Sequence, residues 1–222
     1  MAYALEDAVF AQEDAQDAIS TGPADPFLDI LFVSEDRGYA VGAYGMLYRT
    51  DDGGTQWQLA IEDIDNIDRF HYYGIAAGNA NTLIHSGEAG VLYVSSDRGT
   101  TWTRIPDLYD GSLFGVVVAT DEVMTFGLRG NSFVSSDVGV SWQKRETDQS
   151  YSLYGGRLLD DGRTALVGAG GSVLLLSDSG QIERYSHPSR STFSSVTQAS
   201  DGSVVLVGMD GVGRLDDAEQ LQ

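Results

Sequence analysis

The chain has 222 residues, with 33 acidic and 13 basic side chains, a formal net charge of −20 and no cysteine. That balance argues against nucleic acid or anionic lipid as a partner, because both draw their affinity from Lys and Arg. Disulfides, thiolate metal sites and cysteine nucleophiles are excluded outright. A hydrophobic content of 42% is enough for a full core, and no apolar run reaches the roughly 20 residues of a membrane-spanning helix.

Residues 1 to 22 are Ala-rich and acidic, with Leu5, Val9 and Phe10 and then Ala15, Ala18 and Ile19 at spacings of three to four. This spacing predicts an amphipathic helix that stops before Gly22-Pro23. Pro23 and Pro26 make a stiff connector, so 1–26 reads as an acidic helix and linker, and 27–222 as a separate array.

From Phe27 onward one pattern is written five times, in blades expected near 27–60, 70–105, 112–146, 152–186 and 193–218. Each opens on an apolar strand: Leu28 to Val33, Tyr73 to Ala77, Leu113 to Ala119, Leu153 to Leu159 and Phe193 to Ala199. A polar turn and a second strand lead into a Gly-x-x-Gly step, whose second glycines are Gly45, Gly90, Gly130, Gly171 and Gly211, 40 to 45 residues apart. A third strand then runs into an octapeptide on the pattern [S/T]-x-D-x-G-x-x-W. Its good copies hold Asp52, Gly54 and Trp57; Asp97, Gly99 and Trp102; Asp137, Gly139 and Trp142. A decayed copy keeps Asp178 and Gly180 and presents Glu183 in place of Trp.

Self-similarity at this period is that of a four-stranded propeller blade, so the expected fold is an all-β propeller with about five blades visible. The octapeptide reads as a self-closing hairpin: the Asp accepts from backbone N–H groups of its own turn, the Gly takes positive φ, and the Trp folds between sheets. These Asp residues are therefore expected to be structural. The blade that loses its Trp is expected to have a looser outer edge.

The octapeptides resemble the Asp-boxes of sialidase-like propellers. Residues 42–57, GAYGMLYRTDDGGTQW, are more closely similar to the repeats of the photosystem II stability/assembly factor-like family. YDGSLFG at 109–115 and FGLRG at 126–130 resemble proteobacterial members. The resemblance covers residue 27 to about 215. It implies a secreted, periplasmic or lumenal scaffold without catalytic activity, bound to a protein partner in a membrane-associated complex such as an exporter of the RND type. The chain departs from the family in two respects. Photosynthetic members carry an arginine-rich face, whereas this chain is acidic, and members have about seven blades, whereas five are countable here. The preferred reading is a seven-bladed array seen in part, or a short form whose open edges are capped by the helix or by a second copy.

Two classes of surface follow. In a four-stranded blade the Gly-x-x-Gly turns share one face with the links between blades, and the octapeptides lie on the other. The tips carry Tyr44, Glu88, Arg129 and Asp210, variable residues on a constant frame, as a binding face requires. The links begin with an acidic stretch at 62–68 that matches no EF-hand spacing. Tyr72, Tyr73, Tyr109, Tyr151 and Tyr154 cluster near the starts of the first strands, toward the axis, either lining a central pocket or partner surface or packing in the core; Tyr109 and Tyr151 are counted with the binding face. No metal or cofactor is expected, since His71, His85 and His187 share no ligand spacing. The rival reading is an Asp-box glycan binder or glycoside hydrolase. That chemistry needs several arginines and a Tyr/Glu pair converging on the axis.

Overall fold

The computed structural model describes residues 25–60, 64–78, 81–120, 122–217 and 219–221, together with Glu13, Gln16, Ile19, Ser20 and Gly22. The expected helix over 1–22 lies largely outside them; Glu13, Gln16, Ile19 and Ser20 are helical.

The repeats form five antiparallel blades. Blade 1 runs β1 (Phe27–Phe32), β2 (Gly38–Gly42), β3 (Leu47–Thr50) and β4 (Gln58–Leu59); blade 2 runs β5 (Tyr72–Ala77), β6 (Leu83–Gly87), β7 (Leu92–Ser95) and β8 (Thr103–Arg104). Blade 3 comprises β9 (Leu113–Val118), β10 (Val123–Gly127), β11 (Ser132–Ser135) and β12 (Gln143–Arg145). Blade 4 comprises β13 (Leu153–Leu158), β14 (Thr164–Gly168), β15 (Ser172–Leu176) and β16 (Ile182–Ser186). Blade 5 has β17 (Phe193–Gln198), β18 (Val204–Gly208) and β19 (Gly211–Arg214), and β20 (Glu219–Leu221) follows.

The second strand of blades 1 to 4 is buried along its whole length, which is why these strands are apolar on both faces rather than alternating. Each blade packs its two faces against its neighbours, so the core is four layers between blades. Tyr39, Val41, Ile75 and Tyr93 fill the first; Ile84, Leu92, Leu113 and Phe133 the second; Phe126, Leu153, Leu166 and Leu174 the third; Val167, Leu175, Phe193 and Leu206 the fourth.

Toward the axis the first strands β1, β5, β9, β13 and β17 pack side by side in that order, and among the described residues β17 and β1 form no equivalent junction. Near the start of each first strand the register slips by one residue against the second strand, as between Tyr72 and Gly74. The residue after the slip is Gly in the three middle blades. A Cβ on Gly74 would lie 3.1 Å from the Gly115 Cα, and one on Gly155 would lie 2.6 Å from the Ser194 carbonyl. Blades 2 and 3, and blades 4 and 5, therefore approach backbone to backbone here, most closely at Gly155, where a side chain does not fit. In blade 1 the same position holds Asp29, whose carboxylate crosses to accept from the Ile75 N–H at 2.9 Å. Burial holds that carboxyl above the usual range, partly offset by the Ile75 and Ile30 amides.

One expectation is overturned. The blade with the decayed octapeptide has the firmest outer edge. Its turn closes tightly through the Ser177 N–H donating to the Gln181 carbonyl at 3.0 Å, so β16 starts early and pairs with β15 over five residues. In blades 1 to 3 the full octapeptide occupies that length of chain, and the fourth strand starts one residue after each Trp and runs only two or three residues. β20 then pairs with β16 and adds a fifth strand to blade 4, rather than completing blade 5.

Candidate functional site

The octapeptides prove to be fastenings. In blade 2 the Ser95 hydroxyl donates to Asp97 Oδ1 at 2.8 Å and accepts from the Gly99 N–H at 2.8 Å, while Asp97 Oδ1 accepts from the Thr101 N–H at 2.9 Å. Blade 1 repeats this with Thr50, Asp52, Gly54 and Gln56, and blade 3 with Ser135, Asp137, Gly139 and Ser141. These bonds hold the Asp97 and Asp137 carboxyls down to about 2, through Thr101 and Ser141 first, and lower Asp52 through the Gln56 amide. Oδ1 of each of these carboxylates is thus engaged within its own turn.

The blade 2 turn also locks onto blade 1. The Tyr39 hydroxyl of blade 1 donates to the Arg98 carbonyl in the blade 2 octapeptide, and Trp102 packs into the layer between those blades. In blade 4, where Asp178 and Gly180 remain, the turn is held instead by Ser177 and Ser179, 2.8 Å apart. Glu183, in the Trp position, bonds Arg163 at 3.4 Å and accepts from the Tyr185 hydroxyl at 2.7 Å.

The opposite face is built from the Gly-x-x-Gly turns. After each first glycine the next N–H donates to the carbonyl preceding that blade's first strand: Ala43 to Pro26, Glu88 to His71, Leu128 to Ser112, Ala169 to Ser152 and Met209 to Thr192. The third position is left-handed in blades 1 to 4, at Tyr44, Ala89, Arg129 and Gly170. The second glycine lies against the outgoing link, so closely at Gly130 that a Cβ would sit 2.2 Å from the Gln149 carbonyl. Tips and links thus share one rim.

The tip residues differ in setting. Tyr44 is half-exposed, and its N–H donates to His71 Nδ1 at 2.8 Å; Glu88 accepts from the His71 N–H at 3.2 Å. Arg129 stands over a separate polar cavity of about 350 Å3 that also holds Lys144, Glu146 and Asp148. Asp210 is exposed at the blade 5 turn. Tyr109 turns inward, its ring 5.8 Å from Phe133 and its hydroxyl accepting from Asn131 at 3.0 Å. Tyr151 lies half-exposed beside Gly170.

The feature that joins these pieces is axial. Leu28, Tyr73, Phe114 and Tyr154 occupy the same register position in the first strands of blades 1 to 4, and with Thr192 and Ser194 they line a cavity of about 340 Å3. Their rings form a continuous wall, with Tyr73 to Phe114 centroids 5.2 Å apart and Phe114 to Tyr154 5.0 Å. His71 and Tyr44 extend it to the rim, at 6.3 Å and 4.9 Å from ring to ring. Burial raises the Tyr73 hydroxyl above its ordinary value, and the nearby Glu88 carboxylate adds to that.

Of the tyrosines near the first strands, the structure brings Tyr73 and Tyr154 to the axis and sends Tyr72 into the core beside His85. Phe114, Leu28, Thr192, Ser194 and the rim His71 were not singled out from sequence. The available signal was an aromatic at the same step of three successive repeats. The lining contains neither arginine nor carboxylate, and several of the arginines are paired elsewhere: Arg37 to Asp51, Arg145 to Glu122, Arg163 to Asp161 and Arg184 to Asp148.

Known proteins give the same picture of the fold. The family described as photosynthesis system II assembly factor YCF48 matches residues 11–194. The photosystem II assembly lipoprotein Ycf48 of Synechococcus sp. (strain CC9902) is 25% identical over 199 residues, 86% of this chain and 59% of the relative. The chloroplastic photosystem II stability/assembly factor HCF136 of Arabidopsis thaliana is 30% identical over 135 residues, 54% of this chain and 32% of the relative. The solved structure described as YCF48 bound to D1 peptide superposes with a TM-score of 0.67 at 19% identity, covering 83% of this chain and 60% of that one. The chain therefore spans under two thirds of the length of these relatives, and with its five Gly-x-x-Gly blades and Asp-box fastenings it belongs to the photosystem II assembly factor YCF48 family.

Proposed function

We propose that the protein is a non-catalytic scaffold that binds an extended segment of a protein partner across the Gly-x-x-Gly rim and into the axial cavity. The observation that carries this reading is the aromatic wall from Tyr44 through His71, Tyr73 and Phe114 to Tyr154. Stacked rings give large contact area at small conformational cost, and a concave, largely apolar site with a few polar groups is how side chains of a partner are held. The solved relative that binds a D1 peptide supports a peptide ligand. A carboxylate-free, arginine-free lining supports binding without hydrolysis.

The partner belongs to a membrane-associated complex outside the cytoplasm, with exporters of the RND type among those to be examined; the lipoprotein relative supports the setting. The protein also self-associates through its open blade faces, a reading supported by Ile30 and Phe32 standing exposed on blade 1 and Val207 and Val212 on blade 5.

The test is site-specific photocrosslinking in membranes of the source organism. A benzoylphenylalanine placed at Tyr154 is expected to capture a discrete partner band that Phe114→Leu weakens at least fivefold, while the same probe at Thr100, on the octapeptide face, captures none. Equal capture from both faces would overturn the reading.

A further inference from the structure

The aromatic wall and its rim differ in charge in a way that specifies the ligand. Tyr73, Phe114 and Tyr154 line one space, with neighbouring rings tilted 54° and 47° to each other, and aromatic faces carry partial negative potential. Flanking them are Leu28 on one side and Thr192 and Ser194, whose hydroxyls can accept hydrogen bonds, on the other. No cation lines the cavity. Beside it Glu88 accepts from the N–H of His71, whose ring lies 6.3 Å from Tyr73, and after burial its carboxylate is the next cause that raises the Tyr73 hydroxyl. Among the described residues Glu88 has no Lys or Arg partner; its nearest basic atom is His71 Nε2 at 3.8 Å. His71 Nδ1 already accepts from the Tyr44 N–H, which puts its proton on the nitrogen facing Glu88 and leaves the ring neutral in that arrangement. The carboxylate is therefore not balanced by a fixed positive charge, in a chain whose net charge is −20.

We propose that the docked segment seats a Lys or Arg side chain against Tyr73, Phe114 and Tyr154, with Glu88 as its counter-charge. This rests on the axial cavity being the partner site. A space of about 340 Å3 accepts a guanidinium or ammonium with its methylene stem. The stem lies along the rings and Leu28, and the charged head reaches Thr192, Ser194 or Glu88. The acidity of the whole molecule then acts in the same direction, concentrating cationic segments near the mouth and repelling acidic ones. An apolar side chain fills the rings equally well but gains nothing from the Glu88 carboxylate, which is the less favourable occupancy.

The experiment uses the full chain and a displayed random dodecapeptide library, selected on wild type and counter-selected on Phe114→Leu. The variant keeps apolar bulk while losing the ring, and its thermal midpoint is measured alongside to show that it folds. Selected peptides are expected to share one Arg or Lys. In calorimetric titrations, replacing it by citrulline or acetyl-lysine weakens binding tenfold or more, and Glu88→Gln weakens it severalfold and flattens its dependence on salt. If the neutral replacements bind as well as the parent, or if the consensus is apolar or acidic, the cationic assignment is overturned while the cavity stands as the site. If no peptide distinguishes wild type from a folded Phe114→Leu protein, the cavity reading falls together with it.

Discussion

Ser95 carries more of its hairpin than its size suggests. Its hydroxyl is buried, donates to Asp97 and accepts from Gly99, so Ser95→Ala strands the Gly99 N–H in a place water does not reach. Leaving a buried donor unsatisfied costs about 1–3 kcal/mol, and for a domain of this size each kcal/mol lowers the melting midpoint by roughly 2–4 °C. In the decayed copy Ser177 is half-buried, and its hydroxyl makes only solvent-exposed bonds, to Ser179 and, at 3.4 Å, to the Gln181 carbonyl. Ser177→Ala is expected to shift the midpoint by less than about 1 °C, since exposed polar contacts contribute little. Differential scanning calorimetry of the two variants checks the contrast; equal shifts would mean the octapeptide is not the fastening described.

Between blades 1 and 2 the telling residue is His85 on β6, fully buried between Tyr72, Tyr93 and Trp102, with neither ring nitrogen bonded to protein. Burial pulls it down to about 3 from an ordinary 6.5. The folded state resists protonation that the unfolded chain accepts below about pH 6.5. Stability attributable to His85 is thus fully present above that pH and is lost as pH falls, by roughly 1.4 kcal/mol per unit, until the folded group titrates. The Asp97 and Asp137 carboxyls, held near 2, lose their contribution only below about pH 4, as the carboxyls of the unfolded chain begin to protonate. Urea titrations of wild type and His85→Phe are expected to diverge between pH 6.5 and 4.5, the variant losing less stability; parallel curves would contradict the burial of a neutral imidazole.

This element scale is also where the sequence was most and least legible. Glycine spacing and the [S/T]-x-D-x-G-x-x-W pattern are read directly because turns are made by adjacent residues, and both faces of the array followed from them. Whether Tyr72 or Tyr73 meets the axis was not readable, because the register slip between Tyr72 and Gly74 decides it, and a slip leaves no mark on apolar periodicity. The firm edge of blade 4 was missed for a related reason. β16 owes its length to a shorter turn and its cover to β20, a pairing between segments more than thirty positions apart.

At the scale of the whole array, and among the described residues, the layers between blades are closed and the two terminal faces are not. Ile30 is 58% exposed and Phe32 45% on blade 1, and Val212 is 74% exposed on blade 5. Apolar area of this kind favours association, while a charge of −20 opposes it until salt screens the repulsion. Sedimentation velocity is expected to show a concentration-dependent larger species for wild type at about 0.5 M salt, where the Debye length is a few ångströms, and a single monomeric species for Ile30→Lys. A wild-type protein that stays monomeric under those conditions removes self-association from the account.

The close approach of Gly74 to Gly115 and of Gly155 to Ser194 has a consequence for diversification. The bore of the axial cavity is set by main chain against main chain, so the side chains one step earlier, Leu28, Tyr73, Phe114, Tyr154 and Ser194, furnish the wall without holding it up. Those positions are interchangeable fittings on an arc of main chain. A lineage, or a designer, can exchange them one at a time and obtain receptors of different chemistry without touching the backbone contacts at Gly74 and Gly155.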